Sequence, residues 1–451
     1  MEKKDIIIFM PDQLRSDCIG AYGNKIIKTP NIDKIAEEGV VFKNAYTVSP
    51  LCMPARASFV SGLYPHQHGI WKNKGALPAE DETFFHHLQK NGWFVGYIGK
   101  SHFYEHKNFH MKIMEDYMRK RGIDYVHETT GPHATVKTDS YMTDYLKEKG
   151  LLEIFRDDYR KRNKFSTHPS PLSEEDYLDS YVGKKVCEFL KEYCFEKPLC
   201  LFVGFPSPHE PWDPPGRFSK MYSPDDMPEE IKDKKLDEKL PEKTKKIIEK
   251  NRKSFEGLTS EIIKKIRACY YGKISLVDYW IGEILKIYYE KREPDQLIII
   301  FWSDHGEMLG DHYLLYKSVF YEQSVKVPLI IKWPGKNDYL RKNSEKIVEI
   351  IDVFPTLLYG LGIKKSEREV GENLFEEKKK NFALSEIYAF DMFQYMIRTE
   401  NYKGIFDKEK DCLFLFDLKN DPYETKNLAG KEKLLEKNLL EILYMYVLNS
   451  K

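Results

Sequence analysis

The chain has 451 residues, with 71 Lys and Arg against 71 Asp and Glu, a formal net charge of zero, and 41% hydrophobic residues. Charge neutrality removes the broad attraction on which non-specific nucleic-acid binding depends, and no apolar run approaches the roughly 18 residues of a membrane span. Seven cysteines, an odd number, behind an N-terminus without an apolar leader, read as reduced thiols in a cytoplasmic protein rather than a secreted disulfide scaffold.

The first predicted element is a strand, Ile6, Ile7, Ile8, Phe9 and Met10, which runs into Pro11, Asp12 and Gln13. Thr29 and Pro30 open a capped helix. Cys52 stands at a further helix start, with Arg56 one turn on. A helix N-terminus and a guanidinium both favour an anion or a thiolate; taken alone, such a cysteine reads as a buried structural thiol. A helix is predicted over 82–91, closed by Gly92, and the strand-like run 95–99 leads into Lys100, Ser101 and His102.

Residues 173–195 and 260–290 carry apolar side chains at helical spacing. Between them, the apolar run 199–205 is followed by a proline-rich turn holding His209 and Glu210. Residues 232–253, dominated by Lys and Glu, read as a solvated excursion. A third apolar run, 297–302, ends in Ser303, Asp304, His305, Gly306 and Glu307. From about residue 363 the pattern changes to strands over 396–399, 402–406 and 413–418, a turn at Asn420, Asp421 and Pro422, and an amphipathic helix over 432–446.

Uninterrupted apolar strands suit a mostly parallel central sheet covered by helices on both faces. The expected fold is therefore α/β over 1–362, with a smaller C-terminal α+β part over 363–451 that holds an antiparallel sheet and the terminal helix. In open α/β sheets the functional crevice lies beyond the carboxyl ends of the strands. All three polar clusters fall there, which predicts one composite site.

Cys52, Pro54 and Arg56, in the pattern C-x-P-x-R, are followed by Ser61, Gly62, Tyr64, Pro65, His66, His68 and Gly69. This run closely resembles the signature of the type I sulfatases, in the alkaline-phosphatase superfamily. The resemblance extends over nearly the whole chain, from Asp12 to the tail that begins at Asn420 and ends at Leu428. It implies oxidation of Cys52 to formylglycine by a maturation enzyme, and in-line attack of the hydrated aldehyde on the sulfur of a sulfate ester.

Residue by residue, the resemblance makes Asp12, Gln13, Asp304 and His305 metal ligands around position 52, with Gln13 standing where many relatives carry a second acid. Ca²⁺ is the implied metal and Mn²⁺ the alternative, since an imidazole joins the oxygen ligands. Arg56 and Lys100 support the nucleophile, and His102 takes the proton that triggers sulfate release. His209 and Lys317 bind sulfate and assist the leaving oxygen, and Asn73 faces the pocket. His66 and His68 support the signature loop, Arg15 and Asp17 form structural pairs, and Glu307 acts on the metal shell indirectly. His106, His110 and His133 lie in a segment that could line the pocket. The implied substrate is a small sulfated molecule of carbohydrate type, with neither nucleic acid nor membrane as partner. Two alternatives stay open: a phosphonate monoester or phosphodiester hydrolase of the same superfamily, and an unmodified anion- and metal-binding protein.

Overall fold

The structure, a computed structural model, describes residues 3–78, 81–232, 240–364, 368 and 370–448. Asp5–Asp12 is buried along its whole length, as its unbroken apolar run from Ile6 to Pro11 requires. Its side chains alternate between two cores: Ile6, Ile8 and Met10 enter one, Ile7 and Phe9 the other. The strand lies at the centre of a seven-stranded sheet ordered Val40–Val41, Leu329–Lys332, Leu297–Trp302, Asp5–Asp12, Leu199–Pro208, Phe94–Lys100 and Tyr125–Thr129. The last five of these run parallel, and Leu329–Lys332 is antiparallel to Leu297–Trp302. The fold is thus the mostly parallel α/β sheet that the apolar runs predict.

Ser260–Tyr289, Leu178–Glu192 and Pro30–Glu38 bury Ile274, Val182 and Ile32 in the core on one face. Cys52–Ser61, Phe84–Lys90 and Val353–Gly360 cover the other with Phe59, Phe84 and Phe354. Pro30 occupies the first turn of its helix, where its missing N–H costs nothing. The Asp278 carboxylate accepts the free amides of Asn31 and Ile32 at 3.0 and 2.8 Å. No helix among the described residues is long and apolar enough to cross a membrane.

Two expectations are corrected. Residues 233–239 of the Lys/Glu-rich stretch lie outside the described residues, but the remainder of the stretch forms a helix, Glu242–Ser254. Its face carries Thr244, which donates to the Leu413 carbonyl at 2.6 Å, and Ile247, buried against the C-terminal sheet. The C-terminal sheet itself has four antiparallel strands, Phe382–Ala389, Met392–Thr399, Tyr402–Asp407 and Cys412–Asp417, the first of which the sequence reading missed. The helix Lys433–Leu443 packs Leu439 and Leu443 against the main core.

Parallel strands deliver their carboxyl ends to one edge, and close approach there needs glycine. Gly99 pairs with Gly204 across adjacent strands and has a φ of +104°; a Cβ added to it would lie 2.1 Å from the Gly204 carbonyl oxygen. Gly99→Ala is expected to lower unfolding stability by at least about 2 kcal/mol, read as a shifted urea midpoint with unchanged slope.

Candidate active site

Asp12 ends the central strand, Lys100 ends Phe94–Lys100, and Asp304 and His305 follow Leu297–Trp302. Cys52 is the first residue of the helix Cys52–Ser61 and points into the space among them. Its Sγ lies 3.1 Å from His305 Nε2 and 4.0 Å from Asp12 Oδ1. Asp12, Cys52, Asp304 and His305 are all buried and each offers a ligand atom within 4.8 Å of the others.

Buried carboxylates need partners. Arg56 Nε meets Asp304 Oδ2 at 2.8 Å, and its Nη2 lies 3.1 Å from Asp12 Oδ2. The same guanidinium donates through Nη1 to the Lys100 carbonyl at 2.8 Å, so it is held on three sides. Lys100 Nζ also bonds Asp12. Burial alone would raise the Asp12 carboxyl, but Lys100, then Arg56 and Lys317, outweigh it and hold the group well below the usual range. Burial likewise pushes the Cys52 thiol up; Lys317, then His305 and Lys100, overcome both burial and Asp12 and leave it lower than an ordinary thiol. Residue 52 therefore sits where an anion is favoured. Two carboxylates, an imidazole nitrogen and position 52 make a donor set that fits a divalent cation.

Gln13 bends back over this cluster with a φ of +68°. Its side-chain nitrogen donates to Glu210 at 2.8 Å and to Glu307; this turns its Oε1 toward Lys317, whose ammonium donates to it. Lys317 Nζ also lies 2.7 Å from His209 Nε2. An ammonium can only donate, so Nε2 accepts, and the His209 ring proton sits on Nδ1, 2.9 Å from the Glu210 carbonyl. Burial, aided by Lys317 and Lys100 against Glu210 and Asp12, keeps His209 well below the usual histidine range. Lys273, fully buried, fixes this turn by donating to the carbonyls of His209 and Pro211 at 2.5 and 2.9 Å.

An open cleft of about 330 Å³ leads in from solvent, lined by Cys52, Asn73, Lys100, His102, His133 and His209, with Glu105, His106 and Lys137 farther out. Asn73 Oδ1 accepts the Met53 N–H at 3.0 Å and so steadies the helix start. His102 has a φ of +55° and a buried Nδ1 without a hydrogen-bond partner. Burial first, then His106, Lys100 and Arg56, depress it well below the usual range, so the ring is neutral.

All eleven residues named from the sequence for this site meet around this cleft and its floor. Of the remaining histidines, His106 and His133 line the cleft, whereas His110 turns to Asp144 at 3.1 Å. His66 and His68 face inward to Glu386 at 2.6 Å and Ser58 at 2.9 Å. Arg15 pairs with Asp17 and Asp311, both at 2.7 Å. The sequence reading assigned no role to Glu210, which binds Gln13, His209 and His133 at once. Its only signal was its place beside His209 in the turn.

Comparison with known proteins gives these contacts a context. The family described as "Sulfatase" matches residues 4–363, and that described as "N-sulphoglucosamine sulphohydrolase, C-terminal" matches residues 310–444. An arylsulfatase of Clostridium perfringens is 30% identical over 96% of this chain and 92% of its own length. An N-acetylglucosamine-6-O-sulfatase of Bacteroides thetaiotaomicron is 25% identical over 98% of this chain and 86% of its own. Among solved structures, the phosphonate monoester hydrolase of Agrobacterium radiobacter superposes with a TM-score of 0.80 at 23% identity, covering 98% of this chain and 95% of that one, a likeness of fold.

Proposed function

The chain belongs to the sulfatase family and is a sulfuric ester hydrolase; from that premise we propose that it works through formylglycine made from Cys52, beside a divalent cation held by Asp12, Gln13, Asp304 and His305. The observation that carries this reading is the setting of Cys52: a helix N-terminus, two buried carboxylates, and the cations Arg56, Lys100 and Lys317, with His102 and His209 on the cleft. Formylglycine supplies a hydrated aldehyde able to attack sulfur, and the cation supplies a Lewis acid for a sulfate oxygen. The oxygen donors favour Ca²⁺, and His305 keeps Mn²⁺ competitive.

The protein's own groups divide the remaining work. Arg56, locked by Asp304 and the Lys100 carbonyl, cannot swing with the substrate and stabilises negative charge at position 52. Lys100 adds a second fixed charge. His102 is neutral with an unpartnered ring nitrogen, which suits it to take a proton from residue 52. His209 and Lys317, bonded to each other, serve the sulfate and its leaving oxygen. Asn73 borders the same pocket.

The cleft wall is polar, with Glu105, His106, His133 and Lys137, and suits a hydroxyl-rich leaving group. Together with the N-acetylglucosamine-6-O-sulfatase relative, this supports a carbohydrate sulfate as substrate. Cys52 is 1% exposed, so a maturation enzyme must meet its segment before the fold closes. The six cysteines other than Cys52 are free thiols, which supports a cytoplasmic location. In this reading residues 1–362 are the catalytic part, and 363–451 seat the loop after Lys317: Lys403 donates to the Phe320 carbonyl at 2.9 Å, and Glu424 accepts the Glu322 amide at 2.7 Å.

These roles can be separated by experiment. A good leaving group departs without a proton, so His209→Ala is expected to slow a sugar sulfate about 10²-fold or more while changing nitrophenyl sulfate far less. Equal slowing of both would make His209 a plain sulfate ligand. Asp304→Asn is expected to weaken divalent-cation binding by more than about tenfold, read by calorimetric titration of the metal-stripped protein. Unchanged binding would remove Asp304 from the ligand set.

A further inference from the structure

Glu128 lies next to the end of the strand Tyr125–Thr129 and is 2% exposed. It pairs in register with Gly99 on the neighbouring strand, so its side chain reaches the segment that leaves that strand after Lys100. One carboxyl oxygen meets the Ser101 hydroxyl, and the other meets the Tyr104 hydroxyl at 2.5 Å. His102 lies between these two anchors, in a left-handed backbone conformation that a non-glycine residue keeps only when its surroundings hold it there. The Ser101 carbonyl in turn accepts from Arg56 Nη1 at 3.3 Å. The segment is therefore tied to the guanidinium on one side and to Glu128 on the other. It also carries Glu105 and His106 to the cleft wall, with the His106 ring 4.7 Å from that of His102.

We propose that Glu128 is a positioning residue for the hydrolysis: its carboxyl group fixes His102 and the adjoining cleft wall by accepting from Ser101 and Tyr104. The proposal rests on the proton-accepting role given to His102 above.

The surroundings disfavour the charged form without a cationic partner. Burial first, and then the charge of Glu115, outweigh the Tyr104 hydrogen bond and push Glu128 up to about 8. Tyr97 and Tyr117 are the other titratable groups coupled to it, and among the described residues no lysine, arginine or histidine shifts it. The Ser101 and Tyr104 hydroxyls each donate to a different Glu128 oxygen, so both anchors of the segment hang on one carboxyl group. A group that merely filled space here would need no polar atoms, whereas this one spends both oxygens on the two ends of one four-residue segment.

The test compares Glu128→Ala, Glu128→Gln and His102→Ala in the matured enzyme, with kcat and KM for one aryl sulfate measured from pH 6 to 10. Glu128→Ala is expected to lower kcat about tenfold to a hundredfold at pH 7 with little change in KM, the signature of a misplaced catalytic group. Glu128→Gln, whose amide oxygen still accepts from one hydroxyl while its nitrogen can donate to the other, is expected to recover most of kcat. A folded Glu128→Ala with parental kcat would overturn the proposal, as would a Glu128→Gln no faster than a slow Glu128→Ala. If Glu128→Ala does not fold, Tyr104→Phe, which removes one anchor, decides: parental kcat in it would overturn the proposal. His102→Ala separates the two layers. Parental rates in it would end the role of His102 and this inference together, whereas a slow His102→Ala beside a fast Glu128→Ala would end this inference only.

Discussion

Everything at this site depends on Arg56. The ends of two adjacent parallel strands bring Asp12 and Asp304 together in a buried floor, and like charges so placed repel strongly at low effective dielectric. The guanidinium reaches both carboxylates and is itself gripped by the Lys100 carbonyl. A planar cation with five donors in fixed directions can satisfy such an arrangement; a lysine could neutralise the charge, but its three donors sit on one nitrogen and could not span partners so far apart. The helix that carries Arg56 also carries Cys52, one turn earlier. The contact that makes the acidic floor tolerable is thus the one that aims residue 52 at it.

From this pairing the electrostatics of the cleft follow. Asp12 stays ionised because Lys100, Arg56 and Lys317 surround it, and Arg56 and Lys317 are held in their charged forms by the acidic groups beside them. The imidazoles of His102 and His209 share the same pocket but have no carboxylate strong enough to offset burial, so they stay neutral. A sulfate ester would therefore meet fixed positive charge at its oxygens and neutral rings able to accept or pass protons. Such preorganisation is worth most where solvent is excluded, and Asp12, Asp304 and His305 are all fully buried.

The sequence made the floor of this site legible because each floor residue follows an uninterrupted apolar strand, and strand ends of a parallel sheet share one edge. Asp12, Asp304 and His305 needed no further information to be placed together, whereas Lys100 joined them through the resemblance. What the sequence could not disclose are groups that act across space on one another. Glu210 holds Gln13 from 197 positions away, and nothing local in either residue's neighbourhood encodes that contact. The strand Phe382–Ala389 was missed for a related reason. Its Ser385 and Glu386 interrupt the apolar pattern, yet both are buried, because Glu386 turns inward to His66. The Lys/Glu-rich helix Glu242–Ser254 misled by composition: two buried side chains, Thr244 and Ile247, suffice to seat it.

The central claim is that chemistry begins at residue 52 and that its sulfur has been exchanged for an aldehyde oxygen. Mass spectrometry of the peptide containing residue 52, taken from preparations matured to different extents and assayed on one sulfate ester, tests it most directly. The account predicts turnover in proportion to the formylglycine fraction, extrapolating to none for protein that carries intact Cys52. Full turnover by protein whose Cys52 is wholly unmodified would contradict it.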